Sequence, residues 1–278
     1  MKKAFLLLVA VLFTSITFAQ KKEKIKGSKI VTVTQKEVDN FESLEVEDNI
    51  EIFLSKGATQ SLEIEADDNL HETFKAELNG TTLRIYTDKE ITSAKKISIR
   101  VTYTDNLKSI TAKNEATINA LADLQLENIT IKNLDYSKSY LNVKSKNFTL
   151  LMNDKATAEL NYQGDTVVVE LSKNAQLKAL IAASMSAKID LYQKTTAIIE
   201  GDATEAKIRV DNNAAFTGKK FTVKNLDLTA ESYTHCNINA AENITIAASG
   251  KAEIELFGKP KVQVTNFADS AVLYKKEM

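Results

Sequence analysis

The chain has 278 residues, 44% of them hydrophobic and 26% charged, with 36 Lys+Arg against 37 Asp+Glu. This composition excludes a disordered polymer, and the near-neutral charge argues against nucleic acid as a partner. A single Cys and two His exclude an intrachain disulfide and leave little for metal or thiol chemistry, while arginine only at Arg84, Arg100 and Arg209 limits bidentate recognition of phosphates and carboxylates.

Met1 to Ala19 reads as a secretory signal: Lys2 and Lys3, an apolar run from Ala4 to Phe13, then small residues with Thr17 and Ala19 where a signal peptidase inspects the chain. Cleavage is expected before Gln20. It removes two lysines and leaves 34 Lys+Arg against 37 Asp+Glu, a mature charge of −3. The apolar run is too short for a membrane anchor, and no later segment is long and apolar enough to span a bilayer. The expected location is therefore the periplasm or the cell surface, not as an integral membrane protein. Residues 20–40, Lys-rich at their start, read as an exposed lead-in.

Residues 41–105 carry strand-like stretches at Ile30–Thr34 just ahead of them, then at Leu44–Val46, Ile50–Leu54, Leu62–Glu65, Leu83–Tyr86 and Ile97–Tyr103. Lys56-Gly57 marks a turn and Asn79-Gly80 a hairpin. One short helix is expected, capped by Asp67 or Asp68, with Leu70, Phe74 and Leu78 on one face. This region reads as opening coils and a cap, because an open end would present unpaired backbone to other chains.

From residue 106 to 274 the pattern becomes periodic. Ile110, Ile131, Leu150, Val169, Ile189, Ile208, Leu228, Ile246 and Val264 follow one another at steps of 21, 19, 19, 20, 19, 20, 18 and 18. Between them runs a second series, a small residue followed two positions on by an apolar one, anchored at Ala116, Ala156, Ala175, Ala214, Cys236, Ala252 and Ala271. A polar turn residue keeps the same beat at Asn114, Asn133, Asn153, Asn174, Gln193, Asn212 and Glu231. Asn tolerates left-handed backbone angles, and stacked corners could form an amide ladder. A Ca²⁺-binding reading of these corners is disfavoured by the presence of only 8 Gly in the chain.

Two strands and two turns per period of about 19 residues predict an all-β fold, a parallel β-solenoid whose alternating apolar side chains stack into internal columns. An antiparallel sandwich also has short strands and turns, but it does not explain equal spacing of equivalent positions. The decisive contact is Leu150 to Val169 to Ile189 in succession.

Catalytic chemistry has few candidates. Register places Glu170, Asp190 and Arg209 about one rung apart, pointing outward with Lys188 and Lys207, which reads as a solvated face of mixed charge. His235 and Cys236 are adjacent in a strand and so face opposite ways, and His71 falls on the short helix. Tyr136, Tyr140, Tyr162, Tyr192 and Tyr233 fall at corners or outward positions, where they could stack on sugars or pack against lysine stems. No catalytic, cofactor-binding or metal-ligating residue is assigned, and no cofactor is expected.

Three segments carry a family resemblance: Phe41-Glu42-Ser43-Leu44-Glu45-Val46, Ala66-Asp67-Asp68-Asn69-Leu70 and Gly80-Thr81-Thr82-Leu83-Arg84-Ile85. Gly258-Lys259-Pro260-Lys261-Val262 near the end is a fourth. With them the chain resembles the head GIN domain family of exported bacterial β-helical proteins, labelled autotransporter adhesins, over roughly Phe41 to Tyr274. The resemblance implies a right-handed β-helix and an extracytoplasmic location. The repeated G-S-G turns of that family are reduced here to Ser249-Gly250. The expected function is a non-enzymatic envelope adhesion or scaffold module. Its partner would be an envelope protein or glycan, or a second copy through self-association. The alternative is a carbohydrate-binding or polysaccharide-active protein on the same scaffold.

Overall fold

The computed structural model describes residues 22–277, so the signal segment expected over residues 1–19 lies outside the described residues. Among the described residues strand takes 71% and helix 2%, arranged as a β-solenoid of about nine turns with about 19 residues per rung. The opening strands are β1 (Lys24–Lys26), β2 (Val31–Glu37), β3 (Ser43–Val46), β4 (Glu51–Lys56), β5 (Ser61–Asp67), β6 (Phe74–Asn79), β7 (Thr82–Thr87), β8 (Glu90–Ser93), β9 (Ile97–Tyr103) and β10 (Ser109–Ala112). Seven long strands follow: β11 (Thr117–Asn133), β12 (Lys138–Met152), β13 (Thr157–Leu171), β14 (Gln176–Tyr192), β15 (Thr196–Asp211), β16 (Ala215–Ala230) and β17 (His235–Ala248). The chain closes with β18 (Glu253–Gly258), β19 (Lys261–Phe267) and β20 (Val272–Lys275).

Each long strand crosses a first sheet face, bends, and continues across a second, so one strand supplies most of a rung. Alternate residues point inward on both faces, because side chains of an extended chain alternate and the core lies on one side only. Two adjacent exposed residues, such as Lys146 and Asn147 in β12, break the alternation at the bend. Parallel in-register pairing then stacks like upon like. Leu150 pairs with Val169 and Val169 with Ile189, as the periodicity requires. The column runs on through Ile208, Leu228 and Ile246 to Val264. In the other direction it passes Ile131 and Ile110 to Leu44 and Leu83, so the opening strands β3 and β7 are rungs of the same stack.

The corner residues obey the same beat with a corrected register. Positive φ falls at Asn114, Asp135, Asp154, Lys173, Gln193, Asn212, Ser232, Gly250 and Asp269. Three of these were read from the sequence; Asn133, Asn153, Asn174 and Glu231 miss the left-handed position by one or two residues. Asn133 is instead fully buried, its Oδ1 accepting from Ser139 Oγ at 2.9 Å. The corner ladder is made by backbone, not by side-chain amides. Tyr136 N–H donates to Asn114 O (2.8 Å), Lys155 N–H to Asp135 O (2.7 Å) and Asn174 N–H to Asp154 O (2.8 Å). Amide pairs occur away from these corners, at Asn147–Asn128, Asn161–Asn142 and Asn243–Asn225.

The small-residue column beside the corner is Ala116, Ser137, Ala156, Ala175, Thr195, Ala214, Thr234 and Ala252, all buried. Cys236 belongs to the neighbouring apolar column, between Phe216 and Ile254, and Thr234, two residues earlier, takes the place in the small column that the spacing assigns to Cys236. A second small column was not anticipated: Ser145, Gly164, Ala183 and Ala203 stack where the long strands turn from one face to the other.

The first end is closed by antiparallel pairs, β2 with β5, β5 with β9 and β6 with β7. Residues 20–40 were expected as an exposed lead-in; β1 and β2 are largely exposed but paired, β1 with β8 and β2 with β5. The short helix is a 3₁₀ segment, Asp68–Thr73, and its cap differs from expectation. Phe74 and Leu78 lie in β6, where Leu78 is partly exposed. Asp67 makes no side-chain cap bond to the helix. It is buried and accepts backbone N–H bonds from Lys29, Lys95 and Lys96, tying the β1–β2 and β8–β9 connections to β5. Burial works to raise its pKa, but these donors outweigh it and hold the carboxyl below its ordinary value.

Candidate functional site

Parallel register on the second face brings Glu170, Asp190 and Arg209 into one outward column. Lys188 lies 2.8 Å from Asp190 and 3.4 Å from Glu170. Its hydrogen bond to Asp190 is the main reason its pKa is raised. Arg209 reaches Glu231 at 2.9 Å. Lys207 follows Lys188 in register and faces Asp227 on the next strand. The column thus balances its charge from rung to rung.

Toward the first end the same face holds a tighter ionic cluster. Arg84 is 2.6 Å from Glu47 and 3.6 Å from Glu45, and Lys113 is 2.8 Å from Glu45 and 3.4 Å from Glu47. The Arg84 guanidinium also sits 4.3 Å from the centre of the Tyr86 ring. Its hydrogen bond to Glu47 drives that carboxyl down to about 2. These residues join β3, β7 and the corner after β10, so the cluster staples the opening coils to the regular stack.

His235 points outward, 3.6 Å from Glu253, while Cys236 is buried and burial pushes its thiol up to about 12, which leaves it inert as a nucleophile. His71 sits on the 3₁₀ segment with Nε2 2.8 Å from Thr32 Oγ1. Tyr136 and Tyr233 are exposed and lie under Lys155 and Lys251, each ammonium about a rung away from its ring partner in sequence. Tyr192 is exposed as well. Tyr162 is the exception to the outward reading. It is buried, its ring stacks on Phe148 at 5.6 Å, and its hydroxyl donates toward the carbonyls of Thr166 and Ser145 beneath the bend at Gly164.

Two of the five tyrosines line concavities, Tyr192 a smaller one beside Glu170 and Asp190 on the second face and Tyr140 a larger one. On the first face a groove of about 700 Å³ crosses strands β11 to β15, lined among others by Leu121, Tyr140, Asn142, Glu159, Asn161, Lys178, Leu180, Ile198 and Glu200. Register explains the lining. Tyr140, Glu159, Lys178 and Ile198 form one outward column, and Asn142, Asn161, Leu180 and Glu200 the next. Leu121 is 63% and Leu180 50% exposed, which marks an apolar patch on an otherwise polar face. The sequence reading singled out only Tyr140 here. The available signal was an apolar residue at an outward position of the alternation, and it requires the register between rungs before the separate residues converge.

Among the described residues no helix is long and apolar enough to cross a membrane, and no group of three or more His, Cys, Asp or Glu could hold a metal ion.

Comparison with solved structures finds the same fold at low identity. A "putative adhesin" from Parabacteroides distasonis matches with a TM-score of 0.70 and 17% identity, over 91% of this chain and 100% of the other. A "putative adhesin" from Parabacteroides merdae matches with a TM-score of 0.62 and 16% identity, over 91% and 99%. A "putative lipid binding protein" from Parabacteroides distasonis follows with a TM-score of 0.59 and 13% identity, over 91% and 100%. No curated protein matches. The family model described as "Putative auto-transporter adhesin, head GIN domain" matches residues 40–260, a span that holds the opening rungs, the long strands and the groove. The chain belongs to the head GIN domain family.

Proposed function

We propose that this protein is an exported, non-enzymatic module of the cell envelope that adheres to or scaffolds a partner through a sheet face. The observation that carries this reading is the groove across five consecutive strands, an open, elongated surface with an apolar patch in place of an enclosed pocket. The second face supports it, because Glu170 and Asp190, the carboxylates best placed for acid–base work there, are both ion-paired to Lys188. The segment at residues 1–19 supplies the export signal, and the partner is an envelope protein or glycan. The names of the similar structures, adhesins and a lipid-binding protein, are in keeping with a binding role.

The test has two arms. Purified residues 20–278 should be retained by isolated cell envelopes, and protease treatment of intact cells should tell surface exposure from periplasmic retention. Turnover of any envelope polysaccharide by the purified chain would overturn the non-enzymatic reading, and failure to bind any envelope fraction would overturn the adhesion reading.

A further inference from the structure

The groove leaves several of its polar groups unused, although Glu200 on its last strand pairs with Lys220 at 3.0 Å. Elsewhere on the solenoid, cations and carboxylates of neighbouring rungs pair: Lys188 with Glu170, Lys173 with Asp154, Arg209 with Glu231, Lys144 with Asp123. In the groove Glu159 and Lys178 are direct register partners on adjacent strands. Yet among the described residues neither has an ion-pair partner within 4.0 Å. Nor does the Tyr140 hydroxyl have a hydrogen-bond partner among them. The amides are half used: Asn142 Nδ2 donates to the Leu121 carbonyl (2.7 Å) and Asn161 Nδ2 to Asn142 Oδ1 (3.3 Å), which leaves Asn161 Oδ1 free and points it in a fixed direction. An acceptor pair, a cation, a phenol and an oriented amide are therefore interleaved with exposed apolar side chains on strands about 4.8 Å apart.

That mixture discriminates between ligand classes. An acyl chain would cover Leu121 and Leu180 but would also strip water from Glu159 and Lys178 without returning a hydrogen bond, which is costly. A polyanion would meet the ammonium groups of Lys178 and Lys220 but also the carboxylates of Glu159 and Glu200, so the groove offers it no net positive charge. A sugar ring has an apolar C–H face and a rim of hydroxyls that both donate and accept, so it satisfies both halves of the lining. Four strand spacings give the groove a length of about 19 Å, enough for several rings in a row.

We propose that this groove binds a neutral oligosaccharide, with Tyr140 and Leu180 stacking on ring faces and Glu159, Asn161 and Lys178 bonding to hydroxyls. The assignment rests on the adhesion reading above and names its ligand class. Calorimetric titration of residues 20–278 with linear tetrasaccharides of hexoses and of N-acetylhexosamines should detect binding. Tyr140→Ala and Glu159→Ala should each weaken it by about tenfold, whereas Lys188→Ala on the opposite face should leave it unchanged. Circular dichroism of each variant separates loss of binding from loss of fold. No binding by any of these sugars, binding indifferent to both groove variants, or binding of a fatty acid in their place would each overturn the proposal. Retention of the protein by envelopes in those cases would leave the adhesion reading standing without it.

Discussion

Tyr162 shows what a single side chain does under a bend. Its alternation places it inward, and a phenol in a core needs a partner for its hydroxyl; the carbonyls released at the Ser145 and Thr166 bend provide it. Burial pushes the phenol up to about 12, so it donates throughout the physiological range. Tyr162→Phe keeps the ring packing on Phe148 but orphans those carbonyls, and should lower unfolding stability by about 1–2 kcal/mol in urea titration. Glu47 gives a pH-dependent counterpart. Its pKa falls from 4.5 to about 2 on folding, so the native state gains its full benefit above the unfolded value and loses it as pH falls from about 4.5 toward 2. Glu47→Gln should therefore cost about 2 kcal/mol at neutral pH, allowing for partial exposure, and the difference from the parent should shrink below pH 4.5 and vanish near 2. A constant difference across that range would place the effect elsewhere than in the Arg84 pair.

At the scale of one rung, the limiting element is the bend between faces. Gly201, two residues ahead of the bend position Ala203, adopts φ +109°, and a Cβ would sit 2.1 Å from the Ile181 carbonyl of the strand below. Gly201→Ala must distort two strands at once and should destabilise by about 3 kcal/mol or more, read as a lowered melting temperature. The sequence made the rung legible because its period lives in large apolar residues: Leu150, Val169 and Ile189 recur at equivalent positions whatever lies between. Corners and bends were less legible. A left-handed residue can be Asn, Asp, Lys, Gln or Ser when the backbone ladder fixes it, so composition marks the corner only to within one or two positions. The cap was the least legible part. Asp67 looks like a helix cap in sequence and becomes a buried anchor because residues 29, 95 and 96 aim their N–H groups at it, a convergence no local pattern records. The groove is hidden for the same reason, since its residues come from five strands.

For the whole molecule, stability in such a stack is a sum of rung and neighbour terms, and the two ends differ. Antiparallel strands β2 and β6 close the first end, and their edges carry Lys36, Glu37, Lys75 and Glu77, charges that discourage pairing with another chain. At the other end β19 pairs only with β17, and β20 only with β18, so each offers a free backbone edge in the described chain. The internal columns reach this last coil uncovered: Val264 is 49% exposed where Ile246, one rung earlier, is 0% exposed. Val262, Phe267, Val272 and Tyr274 are exposed beside it. Two copies that met through this end in a two-fold arrangement would point their charged first ends outward, and such a contact would close as a dimer without propagating into a fibre. Sedimentation velocity of residues 20–278 should show a concentration-dependent monomer–dimer equilibrium that Val264→Lys abolishes and Leu180→Asp, in the groove, does not. Species larger than a dimer would mean that the first end also pairs, and a dimer insensitive to Val264→Lys would move the contact to another surface.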